Sequence, residues 1–298
     1  MGGVLFSLGT ILGSFLNVCI HRIPRKESLI YPPSSCDCGA PIPWRFNLPV
    51  VGWLFLKGKA ACCGRSISLR YLFVEILTGV VFAYAGIYFS GNESYILILS
   101  INLFFVCILI CATFIDLEHM IIPDRLSVGG AIAGIALGFA FPVLLPSSFA
   151  LDGLLGHMVG GAYAFLGLLV GSGILYWVGV VAETLLRREA IGQGDVKLLG
   201  CIGAFCGWKG AVFSIFGGAF LGTILLLPLT LLKSFSNNSS GEKTKMIGWG
   251  IEIPFGPFLA LAALLYQFGL NTLIDRELEQ IVILFQVAWG DSTSMRPW

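Results

Sequence analysis

The sequence is poor in charge: Asp, Glu, Lys and Arg make up only 12% of 298 residues, while 56% are hydrophobic and the mean hydropathy is +0.88. Such values exclude an ordinary soluble domain and indicate a chain with several membrane spans. The formal net charge of +1 says nothing about partners, whereas its distribution does; no nucleic acid is expected as a partner. A basic segment ahead of the first apolar run is also missing. MGGVLFSLGTILGSFLNVCI comes first, and Arg22, Arg25 and Lys26 follow it. A secretory signal has the opposite polarity, so a retained first span with its N-terminus outside is expected. Nucleotide loops are lacking as well. In AIGQGDVKLLG (190–200) Lys197 stands where a dinucleotide fingerprint needs glycine, and GEKTK (241–245) has no upstream glycine at P-loop spacing. Neither a soluble catalytic domain nor an internal repeat is evident.

What the chain has is apolar runs. A span needs about 20 mostly apolar residues, and runs occur at 3–20, 71–90, 95–114, 126–145, 154–186, 198–210, 211–232 and 253–270. The fold expected is an all-α polytopic membrane protein with about eight transmembrane helices. The sixth run is short, and its boundary with the seventh falls at glycines 207–210. Eight spans place 21–70, 115–125, 187–197 and 233–250 on one side, and each of these loops carries Lys or Arg. Residues 21–70 hold eight of the 18 basic residues beside only Glu27 and Asp37. The positive-inside rule makes that side cytoplasmic. The loops around 91–94 and 146–153 carry no Lys or Arg; Lys209, in the turn between the sixth and seventh runs, is the exception. The organisation expected is a first helix (1–20), a small cytoplasmic cysteine-bearing domain (21–70), a transmembrane bundle (71–270) and an interfacial or extracytoplasmic tail (271–298). The sequon at Asn238 would face the cytoplasm and go unused.

Two acidic sites fall at span ends on the same side. In FIDLEHMIIPDRLS an apolar run ends at Asp116, and in GQGDVKLLG Asp195 follows Gly192-Gln193-Gly194. A carboxylate at bilayer depth costs about 2.5–3.5 kcal/mol on insertion scales, so it usually faces a polar cavity and has a task. Gly192 and Gly194 would allow close backbone approach. Two aspartates brought together share one proton. One can then take a proton from water while the other donates to a carbonyl oxygen, which suffices for amide hydrolysis. The competing structural reading has both as interfacial caps or ion-pair partners. Asp124, after Pro123, suits a helix N-terminus.

In order along the chain, GSFLNVCIHRIP (13–24), the cysteine-bearing domain, ISLRYLFVEILTG (67–79), the Asp116 to Pro123-Asp124 motif, GQGDVKLLG (192–200) and IPFGPFLA (253–260) resemble the type IV prepilin peptidases. These are GxGD membrane aspartic proteases that also N-methylate their product. The resemblance implies catalysis by Asp116 and Asp195, with Asp124 outside the pair. It implies prepilin or pseudopilin substrates cut between a basic leader ending in Gly and a hydrophobic segment commonly starting with Phe. It further implies S-adenosylmethionine as methyl donor and the bacterial inner membrane as location, with the site on the cytoplasmic face. Two other classes stay open. One is a presenilin-like intramembrane protease, whose first aspartate usually follows Tyr where this chain has Ile115; the other is a transporter or assembly scaffold.

Members of that family often carry two C-x-x-C pairs, a spacing suited to tetrahedral zinc. This chain has Cys36-Asp37-Cys38 and Cys62-Cys63, with Ser35 and Ala60 where the first cysteine of each pair is expected. A shifted four-cysteine zinc site and a loop of free thiols are the two readings. The other five of the nine cysteines lie in or at apolar runs, as small hydrophobes. Glu75 is expected either to pair with Arg70 or to line the substrate path. Lys197 would either favour the ionised form of Asp195 or reach the interface. Asn17, His21 and Arg22 match a family motif, and Asn17 suits a helix-to-helix hydrogen bond. His157 is expected near the outer surface.

Overall fold

The computed structural model describes residues 2–36, 38–90, 95–142, 153–187, 191–237, 254–274, 276 and 280. The sequon, the loop at 91–94, nearly all of the 146–153 loop and the tail beyond 280 lie outside the described residues. The described residues are mostly helical outside the segment 23–68, with two isolated bridges, Ser35↔Pro41 and Lys59↔Ser66, as the sole β pairing among them. The helices are α1 (Gly2–Arg22), α2 (Val51–Phe55), α3 (Leu69–Tyr88), α4 (Tyr95–His119), α5 (Asp124–Ala140), α6 (Gly153–Leu186), α7 (Gln193–Asn237) and α8 (Gly256–Leu265), eight in all. α8 runs on through a π-helical stretch, Tyr266–Leu270.

Among the described residues, six stretches are long and apolar enough to cross a membrane: Gly2–Arg22, Leu69–Tyr88, Tyr95–His119, Gly153–Leu186, Gln193–Pro228 and Gly256–Ile274. The fifth is not one straight rod. Gly207 interrupts it at φ 70° and ψ 178°. A methyl group placed on Gly171 would meet the Leu199 carbonyl oxygen at 2.7 Å and the Ala211 Cβ at 3.1 Å. A straight helix would hold those two residues about 18 Å apart, so the chain turns back at Gly207. The expected sixth and seventh runs are the two arms of this hairpin. With α5, of 17 residues, the bundle has eight helical arms, the number of apolar runs read from the sequence, six stretches of which are span-length. The first arm of α7 is short for a full span, as its 198–210 run suggested.

Lipid gives little apolar driving force between helices, so close backbone approach and dispersion hold them together. Glycines supply that approach. Methyl groups on Gly9, Gly13 and Gly79 would lie within 2.7–2.9 Å of atoms across the α1–α3 contact. Gly138 faces the Gly160 carbonyl across α5–α6, and Gly167 and Gly203 each face the other's carbonyl across α6–α7. A polar bond adds to the first of these: the Asn17 side-chain amide donates to the Tyr71 carbonyl at 3.0 Å, the role expected of it.

The break at Gly207 yields a direct test. Its φ/ψ region is essentially restricted to glycine, and a Cβ would also lie 2.6 Å from the Tyr163 ring. Gly207→Ala is expected to cost roughly 1–3 kcal/mol in backbone strain alone. Gly173→Ala in α6, where nothing lies within 4 Å, should be neutral or slightly stabilising. Thermal midpoints of both variants in detergent check this.

Candidate active site

The last turn of α4 outlasts the apolar run that builds it and carries Asp116, which is 5% exposed. Its Oδ2 accepts a hydrogen bond from the Gly256 N–H at 3.2 Å. Gly256 opens α8, where the first N–H groups have no partner within the helix and the dipole favours an anion. Pro254 and Pro257 flank it in the sequence and fix where that helix starts. A methyl group on Gly256 would lie 2.6 Å from Asp116 Oδ2, so the carboxylate approaches only because no side chain is there.

Asp195 lies in the first turn of α7, and its N–H donates to the Gly192 carbonyl at 3.1 Å. The two glycines of the motif do different things. Gly192 borders the carboxylate, with Asp195 Oδ2 3.3 Å from where its Cβ would be, whereas Gly194 lets the helix start pack on Ile122. Ile122 is buried between α4 and α5 and is the shared wall. A Cβ on Gly194 would lie 3.2 Å from Ile122 Cβ, and one on Gly256 3.1 Å from Ile122 Cδ1. Asp116 and Asp195 thus converge on one end of the bundle, within electrostatic range of each other. Leu117, Glu118, Met120, Ile121, Gly192 and Gln193 are exposed around them, so the surface beside the pair meets water although Asp116 itself is buried.

The other polar residues resolve into structural contacts. Lys197 does not serve Asp195; its ammonium pairs with Asp124 Oδ1 at 2.7 Å, both partly exposed, at the start of α5. Glu75 does not pair with Arg70. Arg70 instead forms an ion pair with Glu118 on α4 and stacks 4.7 Å from the Tyr71 ring centroid. The Glu75 carboxylate accepts from the Val50 N–H at 2.6 Å, tying the cysteine-bearing domain to α3. Arg22 donates to the Ser28 and Pro32 carbonyls at 2.9 and 2.7 Å, and His21 contacts Arg25. His157, near the start of α6, contacts the Phe139 carbonyl at 2.7 Å, at the far end of α5 from the aspartates. Sequence reasoning gave no role to Gly256, although IPFGPFLA was singled out. A glycine between two prolines at a helix start was the available signal. The partners Glu118 and Val50 had none, being distant in sequence.

The four cysteines Cys36, Cys38, Cys62 and Cys63 come together, with all sulfurs within 4.8 Å of one another. Cys36 Sγ lies 3.7 Å from Cys63 Sγ, and Cys38 Sγ lies 3.4 Å from Cys62 Sγ. Four thiolates around zinc at about 2.3 Å put sulfurs about 3.8 Å apart in a tetrahedron, so the donor set fits. Two related turns make it. In one, Cys36 and Ala40 share an N–H···O bond of 2.8 Å and Gly39 has φ 86°; in the other, Ala60 and Arg65 do the same at 2.8 Å and Gly64 has φ 69°. The Cys38 N–H beside Cys36 holds that thiol down to about 7, while the hydrogen bond with Cys38 pushes Cys62 up to about 12. Purified protein is expected to carry about one zinc per chain, and Cys38→Ser or Cys63→Ser should lower that occupancy severalfold. Elemental analysis of the three proteins measures it.

Comparisons with known proteins place the chain in a family. Residues 7–89 match the Bacterial Peptidase A24 N-terminal domain, and residues 103–227 match the Type IV leader peptidase family. Three similar proteins are each named prepilin leader peptidase/N-methyltransferase. The one from Myxococcus xanthus is 32% identical, covering 87% of this chain and 88% of its own. The Dichelobacter nodosus protein is 34% identical over 89% and 90%, and the Klebsiella pneumoniae protein 35% over 70% and 86%. No solved structure matches. With both segments matched in order and identity above 30% along most of its length, the chain belongs to the type IV prepilin leader peptidase family.

Proposed function

We propose that this protein cleaves the basic leader from type IV prepilins or pseudopilins, with Asp116 and Asp195 as the acid–base pair. The observation that carries the assignment is their convergence across Ile122 at one end of the bundle. In this reading that end faces the cytoplasm of a bacterial inner membrane. The basic residues of the cysteine-bearing domain support it, because Arg70 and Glu118 hold that domain's end of α3 beside the aspartates.

The substrate's apolar segment stays in the bilayer while its leader unwinds across the pair. Beside the site, Gly222, Thr223, Leu226, Pro254, Phe255 and Phe258 line most of an apolar cavity of about 400 Å³, which suits the residues after the cut. One carboxylate removes a proton from water as its oxygen adds to the scissile carbonyl, and the protonated partner donates to the carbonyl oxygen. Collapse of the tetrahedral species expels the amine with a proton returned from the pair. Because Asp116 Oδ2 is held by the Gly256 N–H, Oδ1 is left to exchange protons. No acyl-enzyme forms.

The cysteine cluster would hold a structural zinc and so brace its domain. Methylation of the new amine, from S-adenosylmethionine, completes the proposal by family likeness. This cavity and a second one lined by Ile132, Ala136, Phe139, Met158 and Phe165 are apolar and do not fit a charged sulfonium donor, so no residue is assigned to it.

Asp116→Asn and Asp195→Asn, inserted normally, are each expected to reduce prepilin cleavage in liposomes by more than about 10³-fold. Asp124→Asn should stay within a few-fold of the parent, since an exposed ion pair contributes about 0–1 kcal/mol. Retained cleavage in either of the first two removes the assignment, and mass spectrometry of the parent's product reports methylation. Gly256→Ala should lower kcat about 10²-fold, the usual cost of a displacement near 1 Å at a reacting group. Its KM should change little, while the overpacking costs about 1–3 kcal/mol of stability; a matching rise in KM would instead place Gly256 in substrate binding.

A further inference from the structure

α2 is a five-residue helix with two unlike sides. Gly52 is buried against the Phe46 carbonyl, and the Trp53 ring packs on Gly58. Val51, Leu54 and Phe55 lie at i, i+3 and i+4 and so form one stripe. They are 53%, 57% and 81% exposed. An apolar stripe this open in a domain without a large core needs something to cover it.

The tether to α3 says what does. The Val50 N–H at the head of α2 is bonded to the Glu75 carboxylate at 2.6 Å. Glu75 lies six residues into α3, about 9 Å along the helix at 1.5 Å per residue, and its side chain leans back toward the start of that helix. Val50 therefore sits within the first turns of a membrane span, at the level where headgroups meet acyl chains. Interfacial helices bury their apolar faces to about 5–10 Å at this level. At that end of α3, Leu69 and Phe73 are 68% and 57% exposed, so the lipid-facing surface of the span continues there. Charge agrees: residues 45–60 contain Arg45, Lys57 and Lys59, all exposed, and no Asp or Glu. Basic residues beside an apolar stripe match anionic phospholipid headgroups, each worth about 1 kcal/mol near the surface.

The geometry points to α2 as an interfacial membrane anchor, with Val51, Leu54 and Phe55 inserted among acyl chains and Arg45, Lys57 and Lys59 on anionic headgroups. The cysteine-bearing domain then lies on the bilayer rather than standing free in the aqueous phase. Beyond its chain connections to α1 and α3, the Glu75–Val50 bond and the α2 stripe in lipid fix its height beside the aspartates.

The test places a benzophenone amino acid at position 55 of the full-length protein in phosphatidylethanolamine–phosphatidylglycerol liposomes. Position 80, a 53% exposed site near the middle of α3, serves as the lipid-facing reference. Irradiation at position 55 is expected to add the mass of a phospholipid, in yield comparable with position 80 and unchanged by excess prepilin. An adduct with prepilin or with a second copy of the chain, or no phospholipid adduct while position 80 gives one, would overturn the anchor. A second measurement uses Leu54→Ser/Phe55→Ser, which leaves the packed side of α2 untouched. In the purified full-length variant, the cysteine-bearing domain should become several-fold more susceptible to proteolysis in liposomes, with no such change in detergent. Unchanged susceptibility in liposomes counts against the proposal.

Discussion

A carboxyl group that is nearly sealed inside an apolar bundle must have a donor, and the Gly256 N–H is the one Asp116 uses. Much of the geometry at this end of the molecule follows from that bond. It requires α8 to begin beside the last turn of α4 and the first residue of α8 to lack a side chain. It also requires the helix start to stay put, which the flanking prolines ensure. Asp195 reaches the same place by the same physics, as a carboxylate in the first turn of α7, where the helix dipole and free N–H groups favour negative charge. Two helix N-termini and one helix C-terminus thus meet around Ile122.

Meeting there depends on backbones lying unusually close elsewhere. The α7 hairpin returns at Gly207, and its two arms both lie on α6 through Gly167 and Gly171. Only the turn brings its second arm back to α8, where Gly217 and Gly218 approach Ala262 and Leu259. In lipid, contacts of this kind replace the hydrophobic effect as the main source of helix association. The glycines therefore shape the aspartate site at a distance, since they set the spacing between the helices that carry it.

Composition and apolar runs made the all-α fold and its arm count legible, because lipid allows few other solutions for the backbone. The aspartates were legible because ionisable groups at span ends are expensive and therefore rare. Which groups they meet was not. Glu75 was five residues from an arginine, yet the arginine turned to Glu118 and the glutamate to the Val50 backbone. Lys197 was two residues from Asp195, a spacing that does not put side chains on one helix face, and it found Asp124 instead. Sequence proximity suggests partners only at helical spacing. Partners supplied by backbone groups leave little residue type to read: Val50 left none, and Gly256 only its place between two prolines.

The cysteine turns show the converse, a pattern that departs while the site persists. A tetrahedral ion constrains where sulfurs end up, not how many residues separate them. Moving a cysteine along the chain is tolerated when the turn is rebuilt to suit. Here one turn runs over five residues, Cys36 to Ala40, and the other over six, Ala60 to Arg65, each closed by a single 2.8 Å N–H···O bond with a glycine in the left-handed region. Those glycines, not the C-x-x-C spacing, are the shared element, because each follows the cysteine whose chain must reverse at once. Spacing rules for metal sites are thus summaries of common turns, and a different turn with the right reversal can present the same four donors.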